Sequence, residues 1–145
     1  MEAHISVRAR YFAAMSQENV EIVRAGFDAW NAGDMNAYGD LLDSEVTVRT
    51  PRGWPEPGPF VGREAALRQF KLFRDAWDAD AAEPNADFME VGDRVLASFF
   101  WRGSGHGPDA SREIWCLYTL RAGKHLAFEF FWDKAEAREA AGLSA

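Results

Sequence analysis

The sequence predicts an α+β fold in which helices come first and an antiparallel sheet follows. Apolar residues repeat at helical spacing before Asp80 and then fall into short alternating or continuous apolar runs. Two turn signals, Gly92-Asp93 and Ala122-Gly123, separate these later runs. Helices followed by consecutive strands favour an antiparallel meander over a doubly wound parallel sheet. The chain has 145 residues, which is room for one domain with a real hydrophobic core.

The first helix is expected over residues 17–32. Ser16 is a suitable N-cap and Gly33 is a suitable left-handed stop. Steps of three and four residues place one apolar stripe along this helix, formed by Val20, Val23, Phe27 and Trp30. Asp34 then offers a cap for a short second helix.

A strand around Val46 and Val48 is expected to end at Pro51, where a proline-rich loop begins. A third helix is expected after Gly62, because apolar residues again recur at helical spacing: Ala66, Phe70, Phe73 and Trp77. The strands that follow are predicted over residues 86–91, 95–101, 114–120 and 126–132. A last helical turn or two is expected over residues 135–141.

The predicted strands carry large apolar groups on both faces. Because side chains alternate along a strand, Phe128 and Phe130 share one face of the last strand, and Glu129 and Phe131 share the other. A sheet with one wet face should alternate apolar and polar residues more cleanly. The three helices can cover one face, so we expect a homodimer to cover the other.

Charge and composition exclude several functional classes. The net charge of -7 argues against nucleic acid and anionic membranes as partners. Cys116 is the single cysteine, and the three histidines lie far apart, so we expect no disulfide, metal or cofactor. No apolar run is long enough to cross a bilayer, and residues 1–14 lack the apolar core of a signal peptide. We therefore expect a cytoplasmic protein with a non-functional extension over residues 1–14 and a single domain over 15–145.

The order of several short segments resembles the SnoaL-like family of the nuclear transport factor two-like superfamily. These segments are caps, turns and core positions, so they bear on architecture and not on chemistry. They are Glu18-Asn19-Val20, Trp30-Asn31-Ala32-Gly33-Asp34, Leu41-Leu42-Asp43-Ser44-Glu45-Val46, Phe60-Val61-Gly62-Arg63-Glu64-Ala65, Val91-Gly92-Asp93-Arg94-Val95, Tyr118-Thr119-Leu120-Arg121-Ala122-Gly123-Lys124 and Trp132-Asp133-Lys134-Ala135-Glu136-Ala137.

The resemblance implies a cone in which a strongly curved, antiparallel or mixed sheet wraps around three N-terminal helices and leaves an internal pocket. Family members bind small, mostly apolar molecules there, and some are isomerases, cyclases or dehydratases that use buried carboxylates. The ketosteroid isomerase branch uses a tyrosine and two acids, but the matching positions here hold Gly26, Thr50 and Trp115. That reaction by that route is therefore not expected.

Three residues are candidates for catalysis. Glu129 lies on an apolar strand, where burial would raise the pKa of its carboxyl toward neutrality, as a general acid–base requires. The alternative is that this face is solvated. Asp133 is either a second pocket acid or the N-cap of the last helix. Tyr118 is either a hydrogen-bond donor to a ligand or a core ring.

Aromatic side chains are the candidates for the pocket wall. Some belong to the helix stripes and also serve the core, whereas Trp54 and Phe60 lie in or beside the proline-rich loop and either anchor it or reach the pocket mouth. The full set is Trp30, Trp54, Phe60, Phe70, Phe73, Trp77 and Phe131. The function expected is binding of a small apolar molecule, with cofactor-independent proton transfer as one possibility and a non-catalytic binding or dimerisation module as the alternative.

Overall fold

The computed structural model describes residues 7–85, 87–105 and 107–143. In chain order the elements are α1 (Val7–Ala32), α2 (Met35–Asp40), β1 (Leu42–Arg49), β2 (Phe60–Val61), α3 (Arg63–Asp75), β3 (Ala79–Pro84), β4 (Met89–Val91), β5 (Arg94–Ser104), β6 (Ala110–Arg121), β7 (Lys124–Phe131) and α4 (Lys134–Ala140). The α+β class and the helices-first order are thus confirmed.

All the strands belong to one curved, unclosed sheet. Its order is β2-β1-β7-β6-β5-β3, and β4 pairs with the first part of β5. Strand β1 runs parallel to β7, and the other pairs are antiparallel, so the sheet is mixed. The predicted strands after Gly92 are confirmed and are longer than expected, whereas β3 was missed because its sequence, ADAAEP, has low strand propensity.

Helix α1 begins ten residues earlier than the sequence suggested. It starts at Val7 and runs without interruption through Ser16, which is therefore not an N-cap. Residues 7–16 contain no glycine or proline and are rich in alanine and arginine, both strong helix formers, so nothing ends the helix there. The predicted cap of α2 is correct, since the Asp34 carboxylate accepts a hydrogen bond from the Ala37 N–H at 3.0 Å.

The main core lies on the concave face of the sheet, under α1 and α3. Buried aliphatic and aromatic residues of α1, β1, β5 and β7 meet there, among them Val23, Val46, Val95 and Phe128. Each of these side chains comes from a different element, so the core fixes the helices against the hollow of the sheet.

The convex face has a second, smaller core that the sequence reasoning did not anticipate. Leu96 and Leu117 are buried there by Ala137 of α4 and by Ala141 just after it. Helix α4, seven residues long, thus covers part of the face for which the sequence predicts a second chain, and the homodimer stays a prediction. Phe100, at the uncovered end of this face, is 36% exposed. No helix in the described ranges is both long and apolar enough to cross a membrane.

Candidate ligand-binding site

A pocket lies between helices α1 and α3 and the concave face of the sheet. Its volume is about 120 Å³. Aromatic rings from both helices and three strands form most of its wall, including Phe27, Trp30, Phe70, Phe73, Phe99 and Phe128. They meet mostly edge to face, as in the pairs Phe70–Phe128 and Phe27–Phe99, both with ring centroids 5.3 Å apart. These contacts hold the wall rings in fixed orientations.

Two half-buried tryptophans line one end of the pocket. Trp54, from the proline-rich loop, lies against Trp132 just after β7, with ring centroids 6.0 Å apart. The Trp132 indole N–H donates to the carbonyl oxygen of Arg52 at 2.9 Å, which ties the loop to the end of the sheet. The guanidinium of Arg112 stacks over the Trp132 ring, 4.0 Å from its centroid. This end therefore lies near solvent and near a positive charge.

The opposite end of the pocket is buried and polar. His125 is 2% exposed, and its ring stacks on Phe128 with centroids 4.5 Å apart. Tyr118 lies beside it, at 5.3 Å between centroids, and Tyr38 of α2 completes the group. Among the residues that the structure describes, nothing hydrogen-bonds to the buried Nδ1 of His125. We call His125, Tyr38 and Tyr118 the polar floor.

Burial keeps every member of the polar floor uncharged. It lowers the pKa of His125 to about 3, so the imidazole is neutral at physiological pH. Burial, with a smaller contribution from the neighbouring Cys116 thiol, raises the pKa of Tyr118 and of Tyr38 well above the ordinary phenol range. The floor therefore offers hydrogen bonds to a ligand without any charge.

A buried carboxylate fixes two of the wall tryptophans. The side chain of Asp80 is 2% exposed, and its Oδ2 accepts hydrogen bonds from the indole N–H groups of Trp30 at 2.9 Å and Trp101 at 3.0 Å. Arg74 lies 3.4 Å from its Oδ1, donates to the carbonyl oxygen of Trp30 at 2.6 Å and stacks over the Trp30 ring. We call this group, Asp80 with Arg74, Trp30 and Trp101, the tryptophan clamp.

The structure brings four of the predicted wall residues to the pocket and leaves three outside it. Trp30, Trp54, Phe70 and Phe73 line the cavity. The other three pack elsewhere: Trp77 against Trp101, Phe60 against the core from β2, and Phe131 in the convex-face core.

Of the three catalytic candidates, only Tyr118 lines the pocket. Glu129 is paired with Leu117, which belongs to the convex-face core, so strict alternation along β7 directs Glu129 away from the cavity. This is a correction, because the acid–base role required a carboxylate that faces the pocket. Asp133 is the N-cap of α4 and accepts from the Ala135 N–H at 2.7 Å, which matches the alternative kept open for it.

His125 is the site residue that sequence reasoning missed. Counting alternate residues back from Phe128 puts position 125 on the convex face. A β-bulge on β7 changes that count, because Leu120 pairs with His125 and Thr119 pairs with Ala127, which leaves Leu126 as the extra residue. The only signal in the sequence was a lone histidine between a turn and an apolar strand.

The pocket chemistry does not suit a metal ion. No group of three or more histidine, cysteine, aspartate or glutamate side chains comes together in the described part of the chain. None of the described residues that line the pocket carries a carboxylate, and Asp80 is already engaged by two indoles. The pocket therefore combines an apolar wall with an uncharged polar floor.

The family model that describes the SnoaL-like domain matches residues 23–128, which is most of the chain and includes all three residues of the polar floor. The chain belongs to the SnoaL-like domain family. The resemblance drawn from the sequence segments is therefore confirmed.

Several solved structures share the fold of this chain. Bal32a, from a soil-derived mobile gene cassette, is 22% identical, with a TM-score of 0.76 over 87% of this chain and 97% of its own. TerC, co-crystallised with polyporic acid, is 19% identical, with a TM-score of 0.71 over 86% and 98%. A putative polyketide cyclase from Sinorhizobium meliloti is 23% identical, with a TM-score of 0.63 over 76% and 93%. No functionally curated protein matches this SnoaL-like chain.

Proposed function

We propose that this SnoaL-like protein binds a small, mostly apolar aromatic molecule in the pocket. The observation that carries the proposal is a cavity of about 120 Å³ with an aromatic wall and an uncharged polar floor. Ligand sites in proteins are typically apolar cavities with a few convergent polar groups, and the polar floor provides such groups.

The volume sets the size of the ligand. An engineered apolar cavity of about 150 Å³ in another protein binds benzene, so a single aromatic ring fits the buried part of this pocket. A larger ligand would have to displace Trp54 or extend past it toward solvent. The ligand class is therefore a one-ring compound, or one ring of a longer molecule whose remainder leaves between Trp54 and Trp132.

The polar floor favours binding over acid–base catalysis. A general acid or base works best when its pKa lies near the working pH, and burial lowers the pKa of His125 to about 3. Both tyrosines stay protonated, and the predicted acid Glu129 faces the opposite side of β7. The related structures include TerC with polyporic acid and a putative polyketide cyclase, which supports aromatic or polyketide-like molecules as the ligand class.

Proton-transfer catalysis remains the second candidate. Tyr118 and His125 both line the pocket, with their ring centroids 5.3 Å apart. A bound ligand that places a polar group against His125 would change the pKa of its imidazole. Solvent deuterium exchange into an acidic C–H of a bound ketone would support isomerase or cyclase chemistry, and its absence would leave binding alone.

Titration with toluene, followed by proton–nitrogen correlation spectra, tests the binding function. We expect saturable shifts at the backbone amides of Trp30, Phe70 and Phe128, with nuclear Overhauser contacts between the toluene methyl group and the wall rings. The Glu129→Gln variant is a matched control, because it changes the other face of β7, and it should bind equally. Shifts that do not saturate, or that map to the convex face, would contradict the proposal.

A homodimer through the convex face and a cytoplasmic location are further proposals. The uncovered end of that face carries Phe100, which is 36% exposed. Sedimentation equilibrium of the wild type and of Phe100→Lys tests the dimer, since the substitution places a charge in the contact that is proposed. Equal monomer masses for both proteins would rule it out.

A further inference from the structure

The imidazole of His125 is placed in the pocket by a local irregularity of the sheet. Because of the bulge at Leu126, the ring lies on the concave face of β7 rather than the convex face, and it stacks on Phe128. The His125 backbone N–H donates to the carbonyl oxygen of Leu41, the residue just before β1, at 2.8 Å, and this bond holds the main chain on this side of the bulge. The position of the ring is thus set by the backbone.

The two nitrogens of His125 have different surroundings. Nδ1 is buried and has no hydrogen-bond partner among the described residues. Nε2 faces α1 at Gly26, where a methyl group on the Cα would lie 3.7 Å from it. In a neutral imidazole one nitrogen carries the proton and the other is an acceptor. An orphaned buried N–H is rarer than an acceptor without a donor, so the proton belongs on Nε2.

Gly26 keeps the space beside Nε2 open. A glycine in a helix interior is less stable than alanine by about 1 kcal/mol. The contact distances for an added methyl group, 3.7 Å to Nε2 and 3.9 Å to Cε2 of Tyr38, are ordinary van der Waals distances, so the fold tolerates alanine here. What glycine provides is room, and Gly26, His125 and Tyr38 all line the pocket. We call this space the Gly26 slot.

Among the residues that the structure describes, no charged side chain faces the imidazole. The titratable side chains that face it are Tyr38 from α2 and Tyr118 from β6, and both are protonated phenols. Within the sheet, His125 stacks on Phe128 and pairs with Leu120 of β6 and Leu42 of β1. An N–H in such surroundings makes a strong hydrogen bond to a neutral oxygen, because little water competes for it.

We propose that His125 is the specificity residue of this pocket and that its Nε2–H donates a hydrogen bond, in the Gly26 slot, to the carbonyl oxygen of a one-ring aromatic ligand. This inference rests on the proposed function and narrows its ligand to an aromatic aldehyde, ketone or quinone. Tyr38 and Tyr118, the other members of the polar floor, line the same pocket.

Benzaldehyde and toluene are the probes, because they have the same size and differ in the carbonyl group. We expect the dissociation constant for benzaldehyde, relative to that for toluene, to rise about 3- to 10-fold in His125→Phe, which corresponds to one neutral hydrogen bond. Gly26→Ala should raise the same ratio while raising the melting temperature of the free protein. Glu129→Gln should leave the ratio as in the wild type.

Long-range proton–nitrogen spectra of the free wild type provide a readout that needs no ligand. They should show the Nε2–H tautomer of His125, and an Nδ1–H tautomer would overturn the inference. An unchanged ratio of dissociation constants in His125→Phe would also overturn it, while toluene binding alone would leave the proposed function standing. If neither probe binds, the proposed function fails and this inference fails with it.

Discussion

Removing the Asp80 carboxylate should cost a large part of the stability of the fold. In Asp80→Ala, the indole N–H groups of Trp30 and Trp101 both lose their acceptor, at 2.9 Å and 3.0 Å. A hydrogen bond to a charged group contributes about 1.5–3 kcal/mol, so two of them are worth roughly 3–6 kcal/mol. Arg74 is partly solvated, at 19% exposed, and its loss of a partner adds little. We expect the free energy of unfolding to fall by about 4 kcal/mol.

The assay is urea denaturation followed by far-ultraviolet circular dichroism, with Asp80→Asn and Asp28→Ala alongside. Asp80→Asn keeps one acceptor oxygen for the indoles but turns an amide toward Arg74, so about 1–2 kcal/mol should be lost. Asp28 is exposed on α1, and its variant should stay within about 0.5 kcal/mol of the wild type. A loss below about 1 kcal/mol in Asp80→Ala would show that the tryptophan clamp is not needed to hold the wall.

Two further predictions follow from His125 and Asp133. The unfolded His125 takes up a proton below about pH 6.5, whereas the folded ring stays neutral down to a pKa of about 3, so the unfolded state binds more protons in this window. Stability should therefore fall as the pH falls from 6.5 toward 3, by up to about 1.4 kcal/mol per pH unit from this group. His125→Phe should remove that part of the slope in urea titrations at pH 4 to 7, and an unaltered slope would mean that the buried ring is not its source. Asp133→Ala removes the cap of α4 and should cost about 1 kcal/mol, whereas Asp133→Asn should cost only a few tenths. Faster amide hydrogen exchange in α4 is the local readout, and equal exchange in both variants would argue against the cap.

The fold could be predicted from the sequence because the patterns that indicate its helices and strands are local and repeated. The stripe through Val23, Phe27 and Trp30 determines which face of α1 meets the sheet, and Asp34 caps α2 as expected. The start of α1 was misjudged because a good N-cap residue, Ser16, also fits inside a helix whose preceding turns are rich in alanine and arginine. A cap residue predicts the start of a helix only where the residues before it do not favour a helix.

The site was harder to predict from the sequence because it depends on pairing between strands that are distant in the chain. Period-two counting correctly separates Phe128 from Glu129 but cannot say which of the two faces the helices. The bulge at Leu126 then moves His125 to the concave face, and nothing in the sequence around position 126 marks it. Asp80 likewise meets Trp30 across 50 residues and Trp101 across 21, so only the tertiary structure shows the clamp.

The positions of the indole rings allow ligand binding to be followed by the intrinsic tryptophan fluorescence of this protein. Four of the six tryptophans, Trp30, Trp54, Trp101 and Trp132, line the pocket, so any occupant lies within contact distance of several emitting rings. Trp54 and Trp132 are half-buried near solvent, and their emission should shift to shorter wavelength when a guest excludes water. A bound carbonyl compound or quinone would quench the fluorescence of Trp30 and Trp101, the two tryptophans of the tryptophan clamp. Ligand screening by intrinsic fluorescence therefore needs no label.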